Sequence, residues 1–134
     1  MREILFRGKR VDTGEWVFGM AWIFIEKTMI CPWHEGMCKY DTGYFPVQVI
    51  AKTFGQYTGL TDRNDKRIFE GDIVTGLFLF GLSVNAVVTF QNGAFGLEWY
   101  RSDIKTFNAF PSICNVEYEV IGNVTDNPGL LKGE

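Results

Sequence analysis

Three cysteines and one histidine are the residues of this chain best suited to metal or nucleophilic chemistry. Cys31, His34 and Cys38 follow a Cys-x₂-His-x₃-Cys spacing, and Cys114 could add a fourth ligand from a distant part of the chain. Thiolate and imidazole groups bind Zn²⁺ tetrahedrally. A second cysteine pair is absent, however, and a cysteine outside a metal site is commonly a small buried apolar residue. We predict no bound metal or cofactor, and these four residues remain the candidates if zinc is present.

Catalysis by histidine would have to run through His34, because it is the only histidine in the chain. Nucleophilic triads and most general acid–base mechanisms need such a residue. The fragment most similar to a nucleophile elbow runs from Gly81 to Asn85 and carries Ser83, but it lacks the second glycine of that motif. Ser83 is therefore interpreted as a strand residue. We predict no catalytic residue and expect that the protein is not an enzyme.

Four carboxylates lie close together in the middle of the chain. Glu70 and Asp72 flank Gly71, and Asp62 and Asp65 precede them. Clustered carboxylates can bind Mg²⁺ for phosphoryl chemistry, but this spacing fits no known metal loop. The favoured interpretation is structural: Gly71 supplies an unusual φ angle, and the carboxylates cap a turn before a buried strand.

Arg63, Lys66 and Arg67 form a short basic cluster near several aromatic residues. Small β-barrels bind single-stranded nucleic acids through stacking aromatics and basic grooves. The whole chain has a formal net charge of −3 and a pI of about 5.2, whereas nucleic-acid-binding domains are usually basic. A nucleic-acid interface on these three residues is therefore the alternative, and a solvated surface is the favoured interpretation.

Alternating apolar residues predict strands, and one strand is apolar on both faces. It begins at Trp16 and ends at Ile25, with aromatic and sulfur-containing side chains on one face and aliphatic ones on the other. Such a strand is either central in a sheet or lies at an interface. We predict that this strand, with Trp16 and Trp22, forms the interface of a homo-oligomer.

Turn signals divide the rest of the chain into short strands. Alternating residues on both sides of Asn92-Gly93 are the strongest short-range signal for a hairpin. Asn64-Asp65 occupies a second turn, in which Asp65 must accept a positive φ. Residues 75–90 predict two adjacent strands, and residues 116–120 predict the last strand. Residues 31–46 predict a long loop, and a short helix is allowed near residues 101–110.

Composition and length favour one soluble globular domain. The 134 residues are 46% hydrophobic and 22% charged, which is enough apolar material for a core. We predict a single domain over residues 1–134, with N-terminal strands in 1–50 and further strands in 55–122. No secretory signal is recognisable, no apolar stretch is long enough to span a bilayer, and the odd number of cysteines does not suggest disulfides. A reducing cytoplasmic location without membrane contact is the expectation.

Three separated motifs lie in order along the chain: residues 2–7 with Gly14-Glu15-Trp16-Val17, residues 55–60 with residues 68–74, and residues 119–123 with Asp126-Asn127-Pro128. They resemble the motifs of the YopX-like proteins of bacteriophages and prophages. Two residues depart from the family pattern: Asp65 stands where a glycine is usual, and Gly129 stands where an acidic residue is usual. Both lie in turns, so the expected fold is unaffected.

The resemblance implies a mainly β fold with a partly open SH3-like barrel around residues 70–99. It also implies an accessory protein of a phage or prophage, acting in the bacterial host cell, with no established activity and no catalytic residues to transfer. The preferred hypothesis is a non-enzymatic protein that self-assembles or binds a phage or host macromolecule. The alternative hypothesis is a small nucleic-acid-binding barrel that uses Arg63, Lys66 and Arg67.

Overall fold

The computed structural model describes residues 3–32, 46–79, 82–101, 104–109 and 118–131. The chain divides into two compact units, Met1–Tyr57 and Thr58–Glu134, which we call unit 1 and unit 2. Single-domain behaviour over residues 1–134 stays a prediction. Within the described ranges, no helix has the length and apolar character needed to cross a bilayer.

Almost all regular structure in the described residues is β-strand, so the predicted mainly β class is confirmed. Two 3₁₀ turns, Ala51–Thr53 and Pro128–Leu131, are the helical elements of this part of the chain. The strands are β1 (Phe6–Lys9), β2 (Trp16–Phe24), β3 (Lys27–Pro32), β4 (Val47–Gln48), β5 (Gly55–Thr61), β6 (Arg67–Phe69), β7 (Asp72–Leu79), β8 (Leu82–Gln91), β9 (Ala94–Arg101), β10 (Ile104–Ala109) and β11 (Glu119–Asn123).

Unit 1 is built around an antiparallel sheet with the strand order β4-β3-β2-β1-β5. β5 continues into unit 2, where it neighbours β6. One face of the sheet is closed by Ile30 and Val49, which are almost fully buried. Gly19 is needed in β2, because a Cβ atom there would collide with the backbone carbonyl of Cys31 on β3. The strand order places β2 between β3 and β1, and this central place is one of the two positions that its apolar pattern predicted.

The core of unit 2 is formed on one face of a second antiparallel sheet, with the strand order β10-β9-β8-β7-β11. Alternate residues of β8 and β9 point into it, as the sequence pattern predicted. Asn92-Gly93 forms the predicted hairpin turn, with φ angles of 52° and 83°. The core residues are Ile68, Val74, Ala86, Val88, Leu97, Trp99, Tyr118 and Val120.

Two details of the sequence-based fold differ from the structure. The sheet of unit 2 is open, with β10 and β11 at its edges, and is not closed into a barrel. The short helix allowed near residues 101–110 was wrong: residues 104–109 form β10, which pairs with β9 from Ile104–Arg101 to Ala109–Gly96. The local sequence did not determine the secondary structure of these residues, and pairing with the adjacent strand β9 made them a strand.

β3 was missed in the sequence because its preceding turn carries no turn signal. Ile25 and Glu26 form the two-residue connection, and Lys27 pairs with Phe24 to begin β3. Hairpin turns of this length normally contain Asn or Gly. Part of the predicted long loop at 31–46 is the end of β3, and residues 33–45 of that loop lie outside the described residues.

Candidate interaction surface on strand β2

A continuous row of large apolar side chains on β2 and its hairpin turn is exposed to solvent. Trp22 is 52% exposed, Phe24 is 56% exposed and Ile25 is 75% exposed, although all three belong to the apolar class that usually fills a core. Contiguous exposed apolar surface of this kind usually marks a binding site. The six exposed residues are Phe18, Met20, Trp22, Ile23, Phe24 and Ile25.

The strand pleat places the bulkiest of these residues side by side. Side chains two residues apart share one face of a strand. Trp22 is opposite Met29 of β3, and Met20 is opposite Cys31, so β3 widens the same surface with further apolar groups. We define the β2 face as the side of the sheet that carries Trp16, Phe18, Met20, Trp22 and Phe24.

One end of the β2 face carries positive charge. The guanidinium of Arg7 lies 4.7 Å from the centre of the Trp16 ring, and the ammonium of Lys9 lies 5.5 Å from it. Both distances are within the range of a cation–π interaction. Register agrees with this arrangement, because Lys9 of β1 is directly opposite Trp16. The Trp16 end of the face therefore combines an aromatic ring with two cations, of which Arg7 is buried and Lys9 is half-buried.

The other end is the hairpin tip, which we define as residues Ile23–Lys27. Ile25 and Glu26 have φ angles of 47° and 62°. A β-branched residue in this left-handed region is a conformational outlier, because its Cβ crowds the backbone. Ile23 belongs to the opposite face of β2 and is 70% exposed, so apolar groups are presented on both sides of the tip. Strained, exposed apolar residues that are kept in a turn point to a role in binding.

The basic cluster predicted as an alternative interface lies in unit 2, on the turn between β5 and β6. All three of its residues are exposed. Nη2 of Arg63 donates to Oε2 of Glu119 at 3.0 Å, and Nδ2 of Asn64 donates to the other oxygen of that carboxylate at 2.8 Å. Glu119 offsets the charge of Arg63, so the geometry adds no support for a nucleic-acid site formed with Lys66 and Arg67.

Asp62, at the start of the same turn, has a structural role. Its Oδ1 accepts the backbone N–H groups of Asn64 and Lys66 at 2.8 and 2.9 Å, and its Oδ2 accepts that of Val120 at 2.9 Å. Burial opposes ionisation most strongly, but these three N–H groups and the charge of Lys66 outweigh it and hold the pKa of Asp62 below its usual 3.8. The carboxylate thus ties the signature turn to β11, which agrees with the capping interpretation.

Gly71 and Asp72 also match the structural interpretation of the carboxylates. Gly71 has a φ angle of 93°, and Oδ2 of the buried Asp72 accepts the N–H of Phe69 at 2.7 Å. The N–H of Gly71 donates to the carbonyl of Val88, which attaches the turn to β8. In the part of the chain that the structure describes, no three His, Cys, Asp or Glu side chains come together as a possible metal site.

Sequence reasoning missed a polar cluster on the outer face of the β9 strand. Glu98 is 7% exposed, and its Oε1 accepts from Nε2 of Gln91 at 2.6 Å and lies 3.1 Å from Nζ of Lys105. Tyr100 donates to the second carboxylate oxygen at 3.1 Å. The hydrogen bond and charge of Glu98 raise the pKa of Lys105 above its usual 10.5. Only strand register brings these residues together, so no sequence motif could have revealed the cluster.

Cys31 is the one zinc candidate whose surroundings are described. It lies in β3, half-buried, opposite Met20. His34, Cys38 and Cys114 lie outside the described residues, so the zinc alternative stays untested.

Comparison with known proteins adds a family and a fold. No curated protein matches the chain. A crystal structure of the protein EF1440 from Enterococcus faecalis is similar, with a TM-score of 0.54 and 20% identity over 98% of this chain and 100% of that chain. At this identity the likeness shows the fold alone. The family model described as YopX protein matches residues 5–132, and this chain therefore belongs to the YopX family.

Proposed function

We propose that this protein is a non-enzymatic accessory protein of a phage or prophage that acts in the bacterial cytoplasm by self-association through its β2 face. The observation that carries the proposal is the row of exposed large apolar side chains on β2. The phage association follows from the resemblance of the sequence motifs to the YopX-like proteins. A second copy of the chain is the chosen partner, because the composition of the surface and its symmetric placement on β2 suit such a contact.

The β2 face supplies about half of the area that a standard interface buries on each partner. Its exposed residues Phe18, Met20, Trp22 and Phe24 together present the equivalent of about two fully exposed side chains, which at roughly 200 Å² each is about 400 Å². A standard interface buries roughly 800 Å² on each partner, so neighbouring groups of β1, β3 and the hairpin tip would have to contribute the rest. Docking a second β2 face would remove the apolar exposure of this face from water.

The composition of the surface also matches that of interface cores. Aromatic residues, Met and Arg are enriched in such cores, whereas Lys, Glu and Asp are depleted. The β2 face has two tryptophans, two phenylalanines and one methionine, with Arg7 beside Trp16. Trp22 and Phe24 lie in the half of the face that is most exposed, and tryptophan in particular often dominates binding energy.

Sedimentation velocity over a range of concentrations tests the proposal. The wild type should form a discrete oligomer at micromolar concentration, and the double variant Trp22→Ser with Phe24→Ser should shift to the monomer with an unchanged circular dichroism spectrum. Ile104→Ser is the matched control, because Ile104 is 68% exposed but lies on β10 of unit 2. A monomeric wild type at several hundred micromolar, or equal association of the double variant, would refute the proposal.

Single-stranded DNA provides the test of the alternative function. Binding that weakens with salt and disappears in the variant Arg63→Ala with Arg67→Ala would favour a nucleic-acid-binding protein. Binding that is absent at low salt would remove that alternative.

A further inference from the structure

We infer that the second copy docks antiparallel, with a two-fold axis near Met20, so that Glu26 at the tip of one copy faces Trp16 and Lys9 of the other. This inference rests on the proposed function and adds the orientation and register of the contact. Three observations lead to it: the symmetric placement of the β2 face, the charges at its two ends and the strained tip.

Met20 is the centre of the β2 face. It is four positions from Trp16 in one direction and four positions from Phe24 in the other. At about 3.3 Å per residue, each end lies about 13 Å from Met20. Two-fold symmetry requires that the same patch of both copies meets at the interface. An axis through Met20 therefore places Phe24 of one copy against Trp16 of the other, and Trp22 against Phe18. Every large side chain of the face then has an apolar counterpart.

The charges at the two ends select the antiparallel arrangement. Arg7 and Lys9 lie at the Trp16 end, whereas Glu26 lies at the tip. A two-fold stack with parallel strands would place Glu26 of one copy near Glu26 of the other, which is repulsive. The antiparallel stack places Glu26 of each copy near Lys9 of the other. Lys27 follows Glu26 and belongs to β3, whereas Lys9 belongs to β1 on the opposite side of β2. The antiparallel stack therefore keeps Lys27 of one copy apart from Lys9 of the other.

The tip geometry supports a contact at the ends of the face. The positive φ angles of Ile25 and Glu26 form the tight turn that projects Ile25 outward, where it is 75% exposed. A face-to-face stack of two sheets leaves about 10 Å between them, which is a gap that long side chains such as Glu and Lys can bridge. Sheets stacked in the aligned class keep their strands within about 30° of each other, so both ends stay in register.

A charge-swap experiment tests the inference on the full chain at low salt. Glu26→Lys and Lys9→Glu should each weaken self-association about five- to tenfold, because an attraction becomes a repulsion. The double variant should recover most of the wild-type affinity. Lys52→Glu is the matched control, since Lys52 lies in the 3₁₀ turn Ala51–Thr53 and not on β2. Circular dichroism confirms the fold of each variant.

The outcomes separate the inference from the function on which it rests. Recovery in the double variant, with no effect of Lys52→Glu, supports the antiparallel contact. A wild type that associates, but whose double variant is as weak as the singles or weaker, overturns the inference and leaves self-association intact. A monomeric wild type overturns both. An increase in association for Glu26→Lys alone overturns the antiparallel register as well.

Discussion

Two hairpins of this protein have the same turn geometry and opposite chemistry. The β8–β9 turn uses Asn92-Gly93, residues that enter the left-handed region at little cost. The β2–β3 turn places Ile25 and Glu26 in that region. Beside the first turn, Phe90 and Phe95 pair across the strands with ring centres 5.0 Å apart. Beside the second turn, Phe24 is opposite Lys27.

The difference shows which hairpin is optimised for folding. A turn that needs only stability uses Asn-Gly, and its flanking aromatics contact each other edge to face, although Phe90 is itself 52% exposed. In the β2–β3 turn, a β-branched residue and a glutamate bear left-handed φ angles and Ile25 is 75% exposed, and both features lower the stability of the folded state. The β6–β7 turn of unit 2 follows the first pattern, since its φ angle of 93° falls on Gly71, whereas the β5–β6 turn places Asp65 at a φ angle of 65°.

The largest effect is expected when the turn at Asp62 loses its carboxylate. Asp62→Ala leaves the N–H groups of Asn64, Lys66 and Val120 without their acceptor, and the Val120 N–H is buried. The free energy of unfolding should fall by about 3 kcal/mol or more. Urea denaturation followed by tryptophan fluorescence measures this loss. Asp12→Ala is the control, because Asp12 is exposed and its ion pair with Arg10 lies at the surface. An equal loss in both variants would contradict the structural role of Asp62.

Acid should weaken the same turn. The pKa of Asp62 is lower in the folded protein than its ordinary 3.8, so the unfolded state binds more protons as the pH falls through that value. The stabilisation is therefore complete above about pH 5 and is lost as the pH falls below about 4 toward the folded pKa. Asp62→Asn should lose less stability than the wild type over this range in urea denaturation at several pH values. Parallel pH curves for the two proteins would refute the prediction.

Exchanging the residues of the two turns tests the comparison directly. Placing the residues of the β2–β3 turn in the β8–β9 turn should destabilise the folded protein. Asn92→Ile with Gly93→Glu places a β-branched residue and a Glu in positions with φ angles of 52° and 83°. The expected loss of stability is about 2–3 kcal/mol, since each residue bears a left-handed penalty. Thermal denaturation measures it, and a change below the error of the method would show that the two turns are equivalent.

The reverse exchange should stabilise the fold and weaken association. Ile25→Asn with Glu26→Gly relieves both left-handed residues of the tip and should add about 1–2 kcal/mol to the free energy of unfolding. The same variant removes the exposed Ile25 and the Glu26 charge, so sedimentation velocity should show a larger monomer fraction. A variant that is more stable and associates as well as the wild type would indicate that the tip has no role in binding.

The smallest effect is expected at Asp65. Its φ angle of 65° suits the glycine that is usual in the YopX-like motif. Asp65→Gly should stabilise the protein by about 0.5 kcal/mol, because relief of the strain is partly offset by the flexibility of glycine in the unfolded chain. Chemical denaturation with replicate measurements can resolve this change. A loss of stability would mean that the Asp65 side chain contributes a contact that outweighs the strain.

Periodicity and turn residues were enough to predict much of the fold. The alternation around Asn92-Gly93 identified β8 and β9, and the positive φ angles of Asp65 and Gly71 followed from their places in turns. β3 and β10 were not predicted. The Ile25-Glu26 turn carries no local signal, and β10 becomes a strand only through its pairing with β9.

The sequence by itself determined the β class, the two-sided apolar character of β2 and the membership in the YopX family. These are properties of order and spacing, and strand periodicity makes them readable. Tertiary structure alone decided which side of β2 stays in solvent, that Glu119 bonds Arg63, and that Gln91, Tyr100 and Lys105 surround Glu98. Such pairings join residues that are distant in sequence or on separate strands, and only the register of the folded strands brings them together.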